Sequence, residues 1–501
     1  MLARLASASL RGLEAEAVDV EVDLSRGMPS WSLVGLPDAA VREARDRVRA
    51  ALLNSHFEFP LRHITVNLAP ADKRKDGSYF DLPVAIGLLL ASGQVRVENQ
   101  IQMPFMVGEL ALDGRLNPVG GVLPLALFAQ KHRFESIIVP LGNVEEATVV
   151  EGLEVLAAES LLDVAAHLSG KRLLQPIADF NQQPLPEHHL PDLEDVRGQQ
   201  QARRAIEITA AGGHHLLMSG PPGSGKSMLA SRLPGIMPPL TPEQRLAVAR
   251  VYSVAGESGR SPVSSVPPFR SPHHSASDVA MIGGGQIPKP GEVSKALNGT
   301  LFLDELPEFK RPVLEVLRQP LESGKVSIAR AADTLTFPAE FQLVGAMNPC
   351  PCGYLGHPTK PCRCSNVQVQ RYVGRISGPL LDRFDIRIHV PPVEHLELTQ
   401  MKKGESSAKV KARVIKARLK QYARQGEVVN ARLLPTALEK HAKPDADGEH
   451  LLTKALSHFG LSARSYHRIL KVARTIADLA NEEQVLAPHI AEALQYRGEE
   501  T

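Results

Sequence analysis

Apolar positions change period several times along the chain, and each change marks an element. Val18, Val20, Val22 and Leu24 alternate with polar residues, as in a half-buried strand. Val41, Ala44, Val48 and Leu52 then recur at helical spacing behind Asp38, a residue type that caps helices. His63 to Asn67 reads as a further strand, and Asp81 to Ala91 as a helix buried on most sides. Leu216-Leu217-Met218 and Leu301-Phe302-Leu303 are short apolar runs that read as buried strands. Near the C-terminus Val410, Val414, Leu419 and Tyr422 approximate one helical face, with Lys409, Arg413, Lys416 and Lys420 beside them. Residues 402–424 carry nine basic side chains, either a solvated helix face or a nucleic-acid or partner surface.

This order predicts a mixed α/β unit over 1–172 and a linker over 173–191, marked by Asn181-Gln182-Gln183-Pro184-Leu185-Pro186. A second α/β unit follows over 192–394, then a helical unit over 395–501. The chain's 501 residues allow two to four domains, each with its own core. A net charge of only +2 means that nucleic-acid contact must come from local patches. The single tryptophan, Trp31, argues against a base-stacking platform. With no apolar run of ~18 residues and no signal-like start, a soluble, cytoplasmic protein without a membrane partner is expected.

Two of the apolar runs lead into chemistry. Gly220-Pro221-Pro222-Gly223-Ser224-Gly225-Lys226-Ser227 fits the phosphate-loop pattern G-x-x-x-x-G-K-[ST]. Gly220, Gly223 and Gly225 permit a tight turn whose N–H groups, with that of Ser224, point at phosphate oxygens. Lys226 supplies a charge for the β- and γ-phosphates, and Ser227 a hydroxyl for Mg²⁺. The helix that starts there presents its positive end to the anion. The second run ends in Asp304-Glu305. Asp304 is expected to hold Mg²⁺, and Glu305 to orient or deprotonate the attacking water. ATP hydrolysis is the reading. Seventy-seven residues separate Ser227 from Asp304, more than a simple crossover of roughly 30 residues needs, so something is inserted. The insertion includes His273 and His274, structural residues or metal ligands, and the glycines Gly283, Gly284 and Gly285.

All four cysteines fall within fifteen residues, as Cys350-Pro351-Cys352 and Cys362-Arg363-Cys364. Such clustering in an otherwise cysteine-free chain suggests a metal site more than disulfides, with four thiolates for one tetrahedral Zn²⁺. His357 is an alternative ligand. Reduced structural thiols and redox chemistry are the other readings.

Several longer strings carry a family resemblance: Arg270-Ser-Pro-His-His274, Ala280-Met-Ile-Gly-Gly-Gly285, Asn298-Gly-Thr-Leu-Phe-Leu-Asp-Glu-Leu-Pro-Glu-Phe309 and Met347-Asn-Pro-Cys-Pro-Cys-Gly353. Together they resemble the ComM/YifB proteins, bacterial AAA+ ATPases of the magnesium-chelatase-like group. The resemblance implies a homo-hexameric ring that drives branch migration of DNA during natural transformation. Single-stranded and branched DNA, and recombination proteins, are the implied partners. It also implies an AAA+ core and a C-terminal helical lid. Residues 341–347 form a strand ending at Asn348, which resembles the sensor-1 residue. Arg383, before the alternating strand 386–390, resembles the arginine finger that enters a neighbour's site. Arg464 resembles sensor 2, with Arg468 the competing choice. Gly283 and Gly284 would face a pore. Lys325 and Arg330, on a β-hairpin, would contact DNA.

The first unit resembles the Lon-protease fold of the ribosomal S5 domain 2-like type. Lys75-Asp76-Gly77, Asp81-Leu82-Pro83 and the Gly120-Gly121 pair are its landmarks. Asp81 stands where the nucleophilic serine belongs, and the lysine expected after the double glycine is missing, so no peptidase dyad is expected. Ser78 and Lys75 are nearby but out of register. The competing functions are therefore the ATPase component of a metal chelatase, a Lon-like protease and a non-catalytic scaffold.

Overall fold

The computed structural model describes residues 1–177, 190–257, 264–285, 288–329, 334–392, 403–459 and 462–497. Most of the expected linker, and Arg330, lie outside the described residues. Among the described residues no helix is long and apolar enough to cross a membrane.

Strands β1 (Leu2–Arg11), β2 (Glu14–Ser25), β3 (Ser30–Val34) and β4 (His63–Ala69) form a sheet in the order β1-β2-β4-β3. The alternation in β2 buries Val18, Val20, Val22 and Leu24 on one face. Asp38 Oδ1 accepts the Val41 N–H at 2.8 Å and so starts the helix Ala39–Asn54. In the helix Asp81–Ser92 every residue but Leu90 and Ser92 is buried. It lies so close to β2 that a Cβ on Gly87 would stand 2.7 Å from Val22 Cγ2. A second layer contains the short strands β5 (Phe105–Met106), β6 (Glu109–Leu110), β7 (Leu116–Asn117), β8 (Ser136–Pro140) and β9 (Glu154–Ala158), of which β5, β8 and β9 pair in parallel. Helices Val122–Lys131 and Leu161–Leu168 flank them. The Ile177 N–H bonds the Val155 carbonyl at 2.9 Å, so the first unit holds the chain to that point.

The fully buried Asp81 is held by Arg47, which donates from Nε at 2.6 Å and from Nη2 at 3.0 Å. Burial pushes the Asp81 carboxyl up to about 6, against the pull of Arg47. Lys75 is also buried, and its Nζ bonds the Pro70 and Lys73 carbonyls.

The second unit is built on five parallel strands: β10 (Leu216–Ser219), β11 (Phe269–Arg270), β14 (Thr300–Leu303), β17 (Gln342–Met347) and β18 (Ile386–His389). Their order is β11-β14-β17-β10-β18. Alternate residues feed two cores. Leu216, Met218, Phe302, Val344, Ile386 and Ile388 face one way; Leu217, Leu301, Leu303 and Leu343 face the other. A parallel sheet covered on both faces reads as continuous apolar runs, which accounts for the sequence pattern. Two antiparallel pairs project from this frame: β12 (Gly283–Gly284) with β13 (Lys289–Pro290), and the hairpin β15 (Lys325–Ala329) with β16 (Thr334–Pro338).

The C-terminal helices Ser407–Gln425, Pro435–His441, Ala446–Phe459, Ala463–Ala480 and Ala487–Gln495 share the first of these cores. Val410, Val414, Ile469, Val472 and Ile476 pack with the helix Gln200–Gly212 behind the sheet. The Val410 and Val414 face is therefore core, while Leu419 is 62% exposed and stands outside it.

One helix of the second unit, Pro242–Ala255, docks on the first. Ser253 O accepts the Gly121 N–H at 2.9 Å, and Ser253 Oγ accepts the Leu123 N–H at 3.3 Å and donates to Glu146 Oε2 at 2.8 Å. The double glycine is thus a docking element, and Gly121 needs its positive φ of 80° to turn there.

The Arg47–Asp81 pair yields a test. Arg47→Ala strands a buried carboxylate and should cost the first unit about 3–5 kcal/mol at neutral pH. Because folding raises the Asp81 pKa, the ionised form is the disfavoured one. Arg47 lowers the Asp81 pKa, so its removal lifts that pKa beyond about 6; the cost should be greatest at alkaline pH and shrink as pH falls toward 6, where the variant's carboxyl has already taken up a proton. Urea denaturation at several pH values measures both.

Candidate nucleotide site

The phosphate loop starts where three strands end together. The Gly220 N–H bonds the Met347 carbonyl at 3.2 Å, and the Val390 N–H bonds the Ser219 carbonyl at 2.7 Å. A Cβ on Gly220 would stand 2.2 Å from Val390 O, so only glycine passes this gap. Gly223 and Gly225 turn through φ values of 77° and 88°, and the helix Lys226–Ser231 follows at once.

Lys226 Nζ donates to the Gly220 carbonyl at 2.7 Å and the Pro221 carbonyl at 2.9 Å, and lies 3.4 Å from Asn348 Oδ1 and from Ser224 Oγ. Burial lowers its pKa, opposed by the charge of Asp304. Ser227 Oγ donates to Asp304 Oδ2 at 2.5 Å, so the hydroxyl and the carboxylate suited to one Mg²⁺ already meet. Gly220, Gly223, Ser224, Gly225, Lys226, Ser227, Asp304 and Asn348 thus form one constellation, drawn from β10, β14 and β17. A hydroxyl, a carboxylate, an ammonium and a glycine cradle are a donor set that fits a magnesium-bound triphosphate.

Glu305 stands beside them in the left-handed region, at φ 51°. Its carboxylate meets His274 Nδ1 at 3.3 Å. His274 gets there because β11 pairs with β14, matching Arg270 to Leu301, and the chain then runs past the end of β14. Arg270 anchors that approach through two bonds to Glu292, at 2.7 and 2.8 Å. The sequence reading left His274 between a structural and a metal-binding role; its partner is the acidic residue next to Asp304. No sequence signal marks this meeting, because it depends on β11 lying beside β14.

Arg383 and Arg464 lie elsewhere. Arg383 precedes β18, at the end of the sheet where β10 begins, whereas the phosphate loop follows the other end of β10. It pairs with Glu322, and burial, then Arg468, Arg464 and Arg318, lower its pKa. Arg497 is close by, pushed down to about 10 by burial and by Arg387 and Arg468. Arg383 Nε and Arg497 Nη1 are buried without a hydrogen-bond partner among the described residues. Under this cluster, His214 bridges Asp385 at 3.3 Å and Thr475 at 2.8 Å. Although burial raises the Asp385 pKa, the His214 hydrogen bond and charge hold it well below the usual carboxylate range.

Cys350, Cys352, Cys362 and Cys364 come together, all four sulfurs within 4.8 Å of one another. Sulfur separations of 3.4 to 3.6 Å exceed a disulfide's ~2.05 Å. They approach the edge of about 3.8 Å that four bonds of ~2.3 Å to tetrahedral Zn²⁺ require. Hydrogen bonds from the Arg363 and Tyr354 N–H groups bring the Cys352 thiol down to about 6, while the Cys362 and Cys364 thiols, despite backbone hydrogen bonds that lower them, are raised by desolvation and by the neighbouring sulfurs. His357 Nδ1 instead accepts the Thr359 and Lys360 N–H groups. The four thiols can hold a metal ion. Of the expected DNA contacts, Lys325 is exposed at the foot of its hairpin. Gly283 lies against Ile328 of the same hairpin, so the two insertions adjoin.

A parallel sheet with a phosphate loop and an acidic strand end defines a P-loop nucleotide-binding protein of the AAA+ type. Three family models describe successive parts of it. Residues 20–143 match subunit ChlI of Mg-chelatase, 192–398 match magnesium chelatase, subunit ChlI, and 404–497 match magnesium chelatase, subunit ChlI C-terminal. The chain is 49% identical to competence protein ComM of Haemophilus influenzae, over 99% of its own length and 97% of that protein's. It is 46% identical to uncharacterized protein YifB of Escherichia coli, over 97% and 95% of the two lengths. A more distant likeness, 24% identity over 42% of this chain and 45% of the relative, is to the Holliday junction branch migration complex subunit RuvB of Rhodococcus erythropolis. The chain belongs to the ComM/YifB family of magnesium-chelatase-like AAA+ proteins.

Removal of the Lys226 ammonium deletes the one side-chain cation of the phosphate cradle. Lys226→Ala should weaken ATP binding by at least about 100-fold, in line with a charge-assisted bond of roughly 3 kcal/mol. Equilibrium titration with a fluorescent ATP analogue measures it.

Proposed function

We propose that this protein is an ATP-driven, hexameric DNA motor that promotes branch migration of recombination intermediates during natural transformation. The observation that carries this reading is the division of the ATP chemistry between two ends of one sheet. Lys226, Ser227, Asp304, Glu305 and Asn348 gather at one end, and Arg383, Arg464, Arg468 and Arg497 at the other, with Arg383 Nε and Arg497 Nη1 unpartnered among the described residues. Neither half is complete. A head-to-tail ring completes each site by bringing one subunit's arginines to the next subunit's γ-phosphate, and closure at six repeats the contact without open ends.

In this reading Ser227 and Asp304 hold Mg²⁺, Glu305 orients the water, and Asn348 positions it with Lys226. Arg383 is the arginine finger and Arg464 the sensor-2 residue, both serving the neighbour. Such an arginine is worth roughly 10³–10⁵ in rate in GTPases. Gly283, Gly284 and Lys325 line the pore, where contacts to phosphates bind without reading sequence. In this reading the units are a Lon-like fold without its dyad over 1–172, an AAA+ core over 192–394 and a C-terminal helical lid over 395–501. The four cysteines hold one Zn²⁺ per chain. The motor works in the cytoplasm on single-stranded and branched DNA, with recombination proteins as partners. The name of the competence relative supports the process, and that of the branch-migration relative supports the substrate.

The names of the matching family models favour one alternative, the ATPase subunit of a metal chelatase. DNA should stimulate hydrolysis in the first case, and chelatase partners in the second. The decisive experiment is ATP-dependent strand displacement from three- and four-way junctions. Wild type should displace strands and Glu305→Gln should not; displacement by both, or by neither with ATP hydrolysis intact, overturns the motor. Arg383→Ala should lower hydrolysis at least ~10³-fold. Mixing it with Lys226→Ala should restore part of the rate, because some interfaces then pair an intact loop with an intact arginine.

A further inference from the structure

The cysteine loop and the phosphate loop share a wall. The chain leaves β17 through Asn348 and reaches Cys350, which is fully buried. A tight turn follows, in which the Gly353 N–H bonds the Cys350 carbonyl at 2.9 Å. That turn brings Gly353, at φ 82°, against the phosphate loop. A Cβ there would stand 2.5 Å from Pro222 Cδ and 3.8 Å from Asn348 Cγ. Pro222 lies inside the loop, and Asn348 Oδ1 is 3.4 Å from Lys226 Nζ. One residue therefore separates Cys352 from contact with both the phosphate cradle and the residue beside its lysine.

Little else holds this wall in place. From Leu355 to Cys364 the loop has no buried residue, and Leu355 itself is 43% exposed. Among the described residues the Tyr354 ring has one aromatic neighbour, His357, edge-on at 5.6 Å, and one cation over its face, Lys360 at 5.2 Å. A segment without a core of its own keeps one shape when a metal cross-links it. The four sulfurs are the groups placed to do so, and two of them flank the turn that carries Gly353.

We propose that the metal bound by Cys350, Cys352, Cys362 and Cys364 is a strut of the nucleotide site, pressing Gly353 against Pro222 and Asn348 and so setting the phosphate loop's affinity for nucleotide. The proposal rests on the reading of the cysteine cluster as a Zn²⁺ site. It makes the metal a positioning element and gives it no part in the chemistry. Loss of the metal frees Gly353 to withdraw, and Pro222 and Asn348 lose the surface they rest on.

The test compares full-length wild type, Cys362→Ser and Gly353→Ala by metal content and by titration with a fluorescent ADP analogue in excess Mg²⁺. Wild type should carry one zinc per chain. Cys362→Ser should lose it and bind ADP about tenfold more weakly. Gly353→Ala should keep its zinc and also bind more weakly, because the added methyl displaces Pro222. If folded Cys362→Ser lacks zinc yet binds ADP within about twofold of wild type, the strut is overturned while the zinc site stands. If wild type neither carries zinc nor takes it up, the zinc reading itself fails. Should Cys362→Ser not fold, a mercurial strips the metal from wild type by capping the four thiolates, and excess dithiothreitol with Zn²⁺ takes up the mercurial and restores the metal; an affinity that does not follow the metal overturns the proposal.

Discussion

Five strands that all run the same way impose a polarity on everything attached to them. Their C-terminal ends meet at one edge, and whatever the chain carries just past those ends is brought together regardless of distance in sequence. That is how Ser227 comes to bond Asp304 at 2.5 Å, and how Asn348 comes to stand beside Lys226. The same constraint sends the residues just before a strand to the opposite edge, which is where Arg383 lies ahead of β18. The groups proposed for catalysis in one chain are therefore held apart by the sheet that organises them. Four residues of strand span roughly 13 Å, too far for a guanidinium at one edge to serve a phosphate at the other.

The C-terminal helices follow from the same frame. Leu216, Met218, Ile386 and Ile388 expose an apolar face that needs a cover, and the helices Ser407–Gln425 and Ala463–Ala480 supply it. Buried polar pairs fix how they sit. Thr475 bonds His214, and Arg424 makes two bonds to Asp478, at 2.7 and 3.0 Å. Arg464 and Arg468, near the start of the last-named helix, are thereby delivered to the arginine edge of the sheet.

Motifs confined to a few consecutive residues were legible in the sequence, because their geometry is local. The glycines of the phosphate loop, the apolar run before Asp304, the Asp38 cap and the alternation in β2 need no knowledge of the fold. The clustering of four cysteines was legible for the same reason. What strand order decides was not legible. Nothing in sequence spacing says that β11 lies beside β14, so the meeting of His274 with Glu305 was hidden. The contact of Gly353 with Pro222 was hidden likewise, since it depends on β17 lying beside β10. Val410 and Val414 share a buried helical face, as their spacing predicts, but Leu419, which the same period places there, lies outside it. A 3.6-residue period tolerates such a slip, and packing does not. The Arg47–Asp81 pair was also out of reach, because thirty-four residues separate the partners.

Ser253 joins the two α/β units through its carbonyl toward Gly121 and its hydroxyl toward Leu123 and Glu146, and Leu246 and Ala249 of the same helix pack into the first unit's core. Helix Pro242–Ala255 belongs to the chain segment between the phosphate loop and Asp304. A helix fastened at several turns leaves no single hinge between the units, so any tilt imposed on it would carry the first unit along as one body.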